Sequence, residues 1–105
     1  MRMWKVDTKK MCRQHLLGEH LETHCFVGAI LKKTSLRGYV ENGLVELHYL
    51  ETRHNELVEE MLHRGYKHQS PLPFFVSLHA GRVDSEKNLN VLKQRCVECR
   101  KLCTT

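Results

Sequence analysis

The chain has 105 residues, a formal net charge of +5 from 17 Lys and Arg against 12 Asp and Glu, and a pI near 9.1. This length predicts one domain with a modest core, and the positive charge favours an anionic partner such as a nucleic acid. The sequence has no apolar run of about 18 residues and no charged segment leading into an apolar stretch, so it predicts neither a membrane span nor a signal peptide. Five cysteines, an odd number, indicate free thiols in a reducing compartment. We therefore expect a cytoplasmic protein.

The first third of the chain predicts an arm followed by a long helix. Residues 1–8 are expected to be extended, and residues 11–33 carry apolar side chains at helical spacing. Gly18 lies inside this helix, where glycine costs about 0.5–1 kcal/mol relative to alanine. Such a glycine indicates a place where another backbone comes close. Residues 35–43 are then expected to connect this helix to the next.

The middle of the chain predicts a second helix over residues 44–64, which Gly65 would end in a left-handed conformation. Pro71 and Pro73 exclude a regular helix in the segment that follows. The apolar residues 74–76 are expected to pack beneath this loop.

A third helix is predicted from a cap at Asp84 or Ser85 to about Leu102. The chain is thus expected to be all-α. It would form a single compact domain over residues 1–105, with three main helices and an N-terminal arm that reaches the first of them.

Two blocks of the sequence carry a family resemblance. The first, Gln14 to Glu22, reads Gln-His-Leu, then Leu-Gly-Glu, with a second Glu three residues on, and Gly28-Ala29 follow at the matching distance. The second block is Glu56 to Tyr66, which ends His-Arg-Gly-Tyr. Together they resemble the pyrimidine-dimer DNA glycosylases of the phage endonuclease V type over roughly residues 1–66. The resemblance also makes a phage or prokaryotic setting plausible.

The resemblance implies a DNA repair glycosylase with AP-lyase activity that acts on a UV pyrimidine dimer or an abasic site in double-stranded DNA. In that family an N-terminal α-amine attacks C1′ of the deoxyribose, and a Glu assists. The matching residues here are Met1, which we expect to be retained because Arg2 is too large for ordinary methionine removal, and Glu22. An α-amine has an ordinary pKa of about 7.7–8.0 against about 10.4 for lysine, so more of it is neutral and nucleophilic at cellular pH. No cofactor or metal is expected for this imine chemistry, and the protein is expected to be a monomer.

The DNA contacts are predicted partly by the resemblance and partly by charge. The resemblance implies that Arg2, beside the active amine, Gln14 and His15 are the immediate DNA contacts, while Arg13 and Lys87 belong to a basic set suited to phosphates. The chain lacks the arginines that the family has just before and three residues after the catalytic Glu, where it has Leu21 and Cys25. It also has no aromatic residue after Phe75, and Trp4 is the candidate for stacking on a base.

Three other interpretations remain open. His20 and His24, four residues apart on a helix, are able to chelate a metal, although ordinary surface or edge histidines are favoured. Cys96, Cys99 and Cys103 suggest part of a zinc site completed by Cys12, Cys25 or a His, but with Leu89 and Leu92 they also form the seam of a buried helix, which we favour. A zinc-binding interaction protein and a nucleic-acid-binding module without catalysis are thus the alternatives to an enzyme.

Overall fold

A computed structural model describes residues 1–68 and 70–103. The regular elements in this part of the chain are all helical: a 3-10 turn Thr8–Lys10, α1 Arg13–Leu31, α2 Arg37–Glu41, a 3-10 turn Leu47–Tyr49, α3 Leu50–His63, α4 Ser85–Arg95 and α5 Val97–Leu102. The Cα radius of gyration is 13.6 Å, close to the value of about 13 Å for a compact 100-residue domain. The predicted all-α fold with three main helices, α1, α3 and α4, is confirmed.

The core consists of two apolar clusters beside the α1–α3 contact, and the N-terminal arm contributes to both. Trp4 packs in the cluster that contains Leu16, Leu57 and Leu92, whereas Met3 packs in the other cluster. Burial of these side chains supplies the main force that holds the arm on the helices.

Hydrogen bonds with α3, with α4 and with the loop after α2 fix the backbone of the arm. They are Met3 N–H to the Leu44 carbonyl at 2.6 Å, Asn88 Nδ2 to the Trp4 carbonyl at 2.9 Å and Arg53 Nη1 to the Val6 carbonyl at 2.9 Å. The expected arm that reaches the first helix is present, because Trp4 packs with Leu16 of α1 and the Arg2 N–H lies 3.4 Å from Glu22. Its position depends on contacts from α3 and α4 as well.

A buried ion pair joins α1 to α3. Arg53 donates to Glu19 through Nε at 2.6 Å and through Nη2 at 2.9 Å, and both side chains are almost completely enclosed. Burial alone would lower the pKa of the Arg53 guanidinium, but the carboxylates of Glu19 and Glu56 raise it above its ordinary value. Since the pair has excellent geometry, it fixes the rotation of α1 about its axis.

The predicted third helix is broken at Cys96, so the prediction of one helix to Leu102 was wrong. Cys96 has an extended backbone (φ −124°, ψ 112°) that ends α4 and precedes α5, and its Sγ accepts from the Cys99 N–H. The start of the helix was predicted correctly, because the Asp84 side chain accepts from the Lys87 N–H.

Two other boundaries also differ from the prediction. The connector after α1 contains the short helix α2, and the second main helix begins at Leu50, after a 3-10 turn, instead of at residue 44. Phe74 and Val76 were expected to be covered, yet they are 87% and 75% exposed, and only Phe75 contacts the core.

The glycines give mixed outcomes. Gly65 has φ +85° just after α3, as predicted. Gly18 does not face another backbone: no atom of the described chain outside its own helix lies within 4 Å of where its Cβ would be. The close approach occurs at Gly81 instead, where φ is +93° and a Cβ would overlap the Val45 carbonyl.

None of the helices in residues 1–68 and 70–103 is long and apolar enough to span a bilayer.

Candidate active site

The start of the arm lies against Glu22 of α1. The Arg2 N–H is 3.4 Å from Glu22 Oε2, and the positive charge of the Met1 amine acts on the same carboxylate. Met1 itself is 43% exposed. The two residues that the sequence paired as nucleophile and carboxylate are therefore neighbours in the fold.

The environment of Glu22 changes its acidity. Burial raises the pKa of its carboxyl group, while the Arg2 N–H and the Met1 ammonium act in the opposite direction without cancelling the shift. A carboxyl group whose pKa is raised towards neutrality is suited to hold and release a proton during a reaction. This property distinguishes Glu22 from a solvated surface carboxylate.

The Arg2 guanidinium is held above Trp4. Its Cζ is 3.9 Å from the centre of the Trp4 ring, and its Nη2 donates to Asn88 Oδ1 at 2.7 Å. Burial, and then the nearby Arg95, lower the pKa of Arg2. Its buried Nε has no hydrogen-bond partner among the described residues, so this donor is left unsatisfied within the protein.

Asn88 is a site residue that the sequence did not reveal. It is buried on α4, and its amide bonds the Trp4 carbonyl as well as the Arg2 guanidinium. In the sequence, its burial was indicated only by its position four residues before Leu92, which places it on the apolar face of the helix.

The sequence profile of the pyrimidine dimer DNA glycosylases matches residues 1–73. The chain belongs to the pyrimidine dimer DNA glycosylase family. The match spans the arm, α1, α2 and α3, and it includes Met1, Arg2 and Glu22. Membership implies DNA repair of the pyrimidine dimer glycosylase type, and hence a DNA substrate. Neither the curated proteins nor the solved structures contain a significant match to this chain.

The other predicted DNA contacts of this glycosylase family member occupy different settings. Arg13 and Gln14 are exposed at the start of α1, and Arg13 stacks on Tyr66 with Cζ 4.7 Å from the ring centre. Lys87 is exposed on α4, next to Asn88. Trp4 is only 8% exposed beneath Arg2, so stacking on a base would require Arg2 to move.

His15 faces a group of cysteines. Its Nδ1 is 3.2 Å from Cys12 Sγ and 3.6 Å from Cys99 Sγ, and Cys12 Sγ is 3.8 Å from Cys96 Sγ. One ligand atom from each of these four residues lies within 4.8 Å of the others. The predicted DNA contact through His15 stays a prediction, while its observed neighbours are thiols.

A second group consists of four histidines: His20 and His24 from α1, His54 from α3 and His68 beyond α3. One nitrogen from each lies within 4.8 Å of the others. Burial, and then the neighbouring histidines, lower the pKa of His20 to about 4 and also lower that of His24. The pair that the sequence singled out therefore belongs to a larger cluster.

Proposed function

We propose that this protein is a DNA glycosylase with AP-lyase activity whose nucleophile is the α-amine of Met1 and whose proton carrier is Glu22. The observation that carries the proposal is the placement of Met1 and Arg2 against Glu22, with the Arg2 N–H 3.4 Å from the carboxylate. An amine and a carboxyl group of raised pKa at one exposed edge are the two groups that imine chemistry on a sugar requires.

The reaction begins when the amine lone pair forms a bond to C1′ of the deoxyribose. The C1′–N bond to the base breaks, and the base leaves with the electron pair and takes up a proton. The nitrogen then loses a proton, the bond from C1′ to the ring oxygen opens, and that oxygen is protonated. In this proposal Glu22 donates this proton, and its carboxylate then stabilises the cationic imine.

Strand cleavage follows from the acidity that the imine gives to the C2′ proton. A base removes this proton, the C–H electrons form a C2′=C3′ double bond conjugated with the C1′ imine, and the C3′–O bond breaks as the phosphate leaves with its electron pair. Ionised Glu22 is the candidate base. Water then hydrolyses the imine and releases the Met1 amine.

The contacts of Lys5 support Met1 over Lys5 as the nucleophile. Lys5 Nζ is paired with Glu46 at 3.0 Å and lies 4.4 Å from the centre of the Tyr49 ring. An ammonium held in this way is less available than the partly exposed Met1 amine.

Arg2 supports the binding step. Its guanidinium is anchored by Asn88 and Trp4 beside the proposed nucleophile, which suits a phosphate contact next to the reacting sugar. The positions of the missing family arginines are the exposed Leu21 and Cys25. Because this surface lacks two cations, both substrates, a pyrimidine dimer and an abasic site, belong in the assay.

Reductive trapping tests the proposal. Borohydride is added to the protein with duplex DNA that contains an abasic site, and separately with UV-irradiated duplex. We expect a covalent protein–DNA adduct, which peptide mapping places on Met1. Acetylation of the amine, or an N-terminal extension, should abolish the adduct while the fold and DNA binding persist.

Two outcomes would contradict the proposal. An adduct on Lys5, Lys9 or Lys10 would keep the reaction class and discard the N-terminal nucleophile. The absence of an adduct on either DNA, together with salt-dependent binding, would favour a DNA-binding module without catalysis.

A further inference from the structure

Two distant segments of the chain bring four metal-binding side chains together. Cys12 and His15 stand at the beginning of α1, and Cys96 and Cys99 stand at the break between α4 and α5. Each pair has the spacing of two intervening residues that is common in zinc sites. The pairs are separated by more than eighty positions in the chain, yet the Cys12 and Cys96 sulfurs are 3.8 Å apart.

The distances between the ligand atoms agree with a tetrahedral zinc ion. Zinc–sulfur bonds of about 2.3 Å and zinc–nitrogen bonds of about 2.0–2.1 Å predict S···S edges of about 3.8 Å and S···N edges of about 3.6 Å. The observed distances are 3.8 Å for Cys12 to Cys96, and 3.6 Å and 3.2 Å from His15 Nδ1 to the sulfurs of Cys99 and Cys12. Of these three edges, only the last is shorter than the ideal value, and the remaining three edges are all within 4.8 Å.

Backbone N–H groups point at two of the sulfurs. The Cys12 N–H donates to Cys99 Sγ at 3.2 Å, and the Cys99 N–H donates to Cys96 Sγ at 3.5 Å. Such N–H groups stabilise the negative charge of thiolates around a bound metal. A helix that continued through Cys96 would satisfy simple core packing, so the extended residue at this point requires another reason. The break places the Cys96 sulfur beside Cys12.

We propose that Cys12, His15, Cys96 and Cys99 form a structural zinc site. Binding releases the three thiol protons to solvent, and all four coordination positions are filled by protein, which is typical of structural sites. The ion would fasten α5 to the start of α1. It would also fix the His15 ring, whose edge contacts Trp4 with a centroid distance of 5.8 Å, and thereby support the arm beneath Arg2. This inference is independent of the proposed glycosylase reaction.

Metal analysis of the untagged, full-length protein tests the proposal without a variant. We expect zinc to be retained through dialysis, and cobalt substitution to give the sulfur-to-metal charge-transfer absorption of a thiolate site. A strong chelator, applied with a thiol-reactive reagent, should release the zinc and lower the melting temperature. Protein that folds without zinc, gives no cobalt–thiolate absorption and melts at the same temperature with and without zinc would overturn the proposal.

Single substitutions identify the residues that bind the ion. Cys99→Ser and His15→Gln should each lose the zinc or bind it at least ten-fold more weakly. Cys25→Ser and Cys103→Ser are matched controls, because both cysteines lie outside the cluster, and both variants should keep the zinc. If a site variant fails to fold, the cobalt spectrum of the unaltered protein still decides. Loss of zinc in the controls, or its retention in both site variants, would contradict the assignment.

The histidine cluster carries a second inference by a different observation. The Nε2 atoms of His20 and His68 are only 3.0 Å apart. The buried Nε2 of His24 has no hydrogen-bond partner among the described residues. The contacts of His54 are long, 3.3 Å each to Asn55 Oδ1 and the Ser70 carbonyl. Four imidazoles so close to one another, with two Nε2 atoms only 3.0 Å apart, are poorly explained by hydrogen bonding alone.

We infer that His20, His24, His54 and His68 bind a divalent transition ion of the kind that prefers imidazole, such as zinc or nickel. Zinc titration should show a second equivalent, and cobalt at this site should lack sulfur charge transfer. His24→Gln should abolish this equivalent, whereas His63→Gln, an exposed histidine at the end of α3, should not. A total of one zinc per chain in the unaltered protein, lost only with the cysteine variants, would refute this second site and leave the first intact.

Discussion

Glu19 Oε2 lies 2.6 Å from Arg53 Nε in a fully buried ion pair, and this contact separates the roles of two carboxylates on one helix face. Glu22 stands three residues after Glu19, so both lie on the same side of α1. Arg53 reaches only the first of them, while the arm reaches the second. Glu19 therefore holds the two helices together, and Glu22 remains available beside the Met1 amine.

Glu19→Gln should lower the free energy of unfolding by about 3–5 kcal/mol, because it leaves the Arg53 guanidinium buried without its charge partner. Urea denaturation measures this loss. Glu56→Gln is the matched control, since Glu56 also bonds Arg53 but its side chain is 39% exposed, and it should cost clearly less. Equal losses for the two variants would contradict a special role for the buried pair.

Glu22→Gln should abolish strand cleavage and slightly stabilise the fold at neutral pH. The folded-state pKa of Glu22 is raised, mainly by burial, so its contribution to stability is greatest when it is protonated and is lost as the pH rises through that pKa. The variant removes this loss, which is small because the side chain is partly exposed to solvent.

Thermal unfolding at several pH values checks the sign of this effect. The difference between Glu22→Gln and the unaltered protein should be present at pH 7 and vanish in acid, where both side chains are neutral. A variant that cleaves abasic DNA at the unaltered rate would end the catalytic assignment of Glu22, whatever its stability.

Arg2→Gln should weaken binding to damaged and undamaged DNA alike and reduce the slope of log K against log salt by about one. The guanidinium beside the proposed nucleophile would contact a phosphate, which carries no sequence information. Arg2→Lys keeps the charge and should keep the slope. Unchanged affinity of the Gln variant over a salt series would place the DNA interface elsewhere.

Gly81→Ala and Gly18→Ala should act in opposite directions. The first adds a Cβ at φ +93° that overlaps the Val45 carbonyl, and it should cost more than about 2 kcal/mol. The second adds a Cβ in open space within α1, and it should stabilise the fold by about 0.5–1 kcal/mol. Calorimetric melting compares both with the unaltered protein. A destabilised Gly18→Ala would mean that this position is crowded after all.

Local signals were sufficient to predict the existence of the three main helices, though not all of their boundaries, and to indicate the family. The Asp84 cap, the left-handed Gly65 and the apolar periodicity act within a few residues, so they can be read along the chain without knowledge of its partners. The motif around Glu22 is likewise contained in one helix. For the same reason the sequence placed Met1 and Glu22 together only through the family resemblance, not through any pattern of its own.

Contacts between distant residues decided the rest. The sequence put Glu19 and Glu22 on one face, but Arg53, brought in by α3, determines which of them is buried and paired. The seam of Leu92 and Cys99 predicted an unbroken helix, whereas the extended Cys96 brings its sulfur to Cys12. The spacing of residues along a helix shows which side chains share a face. Which part of the chain packs against that face depends on the packing of the whole chain, and only the tertiary structure contains that information.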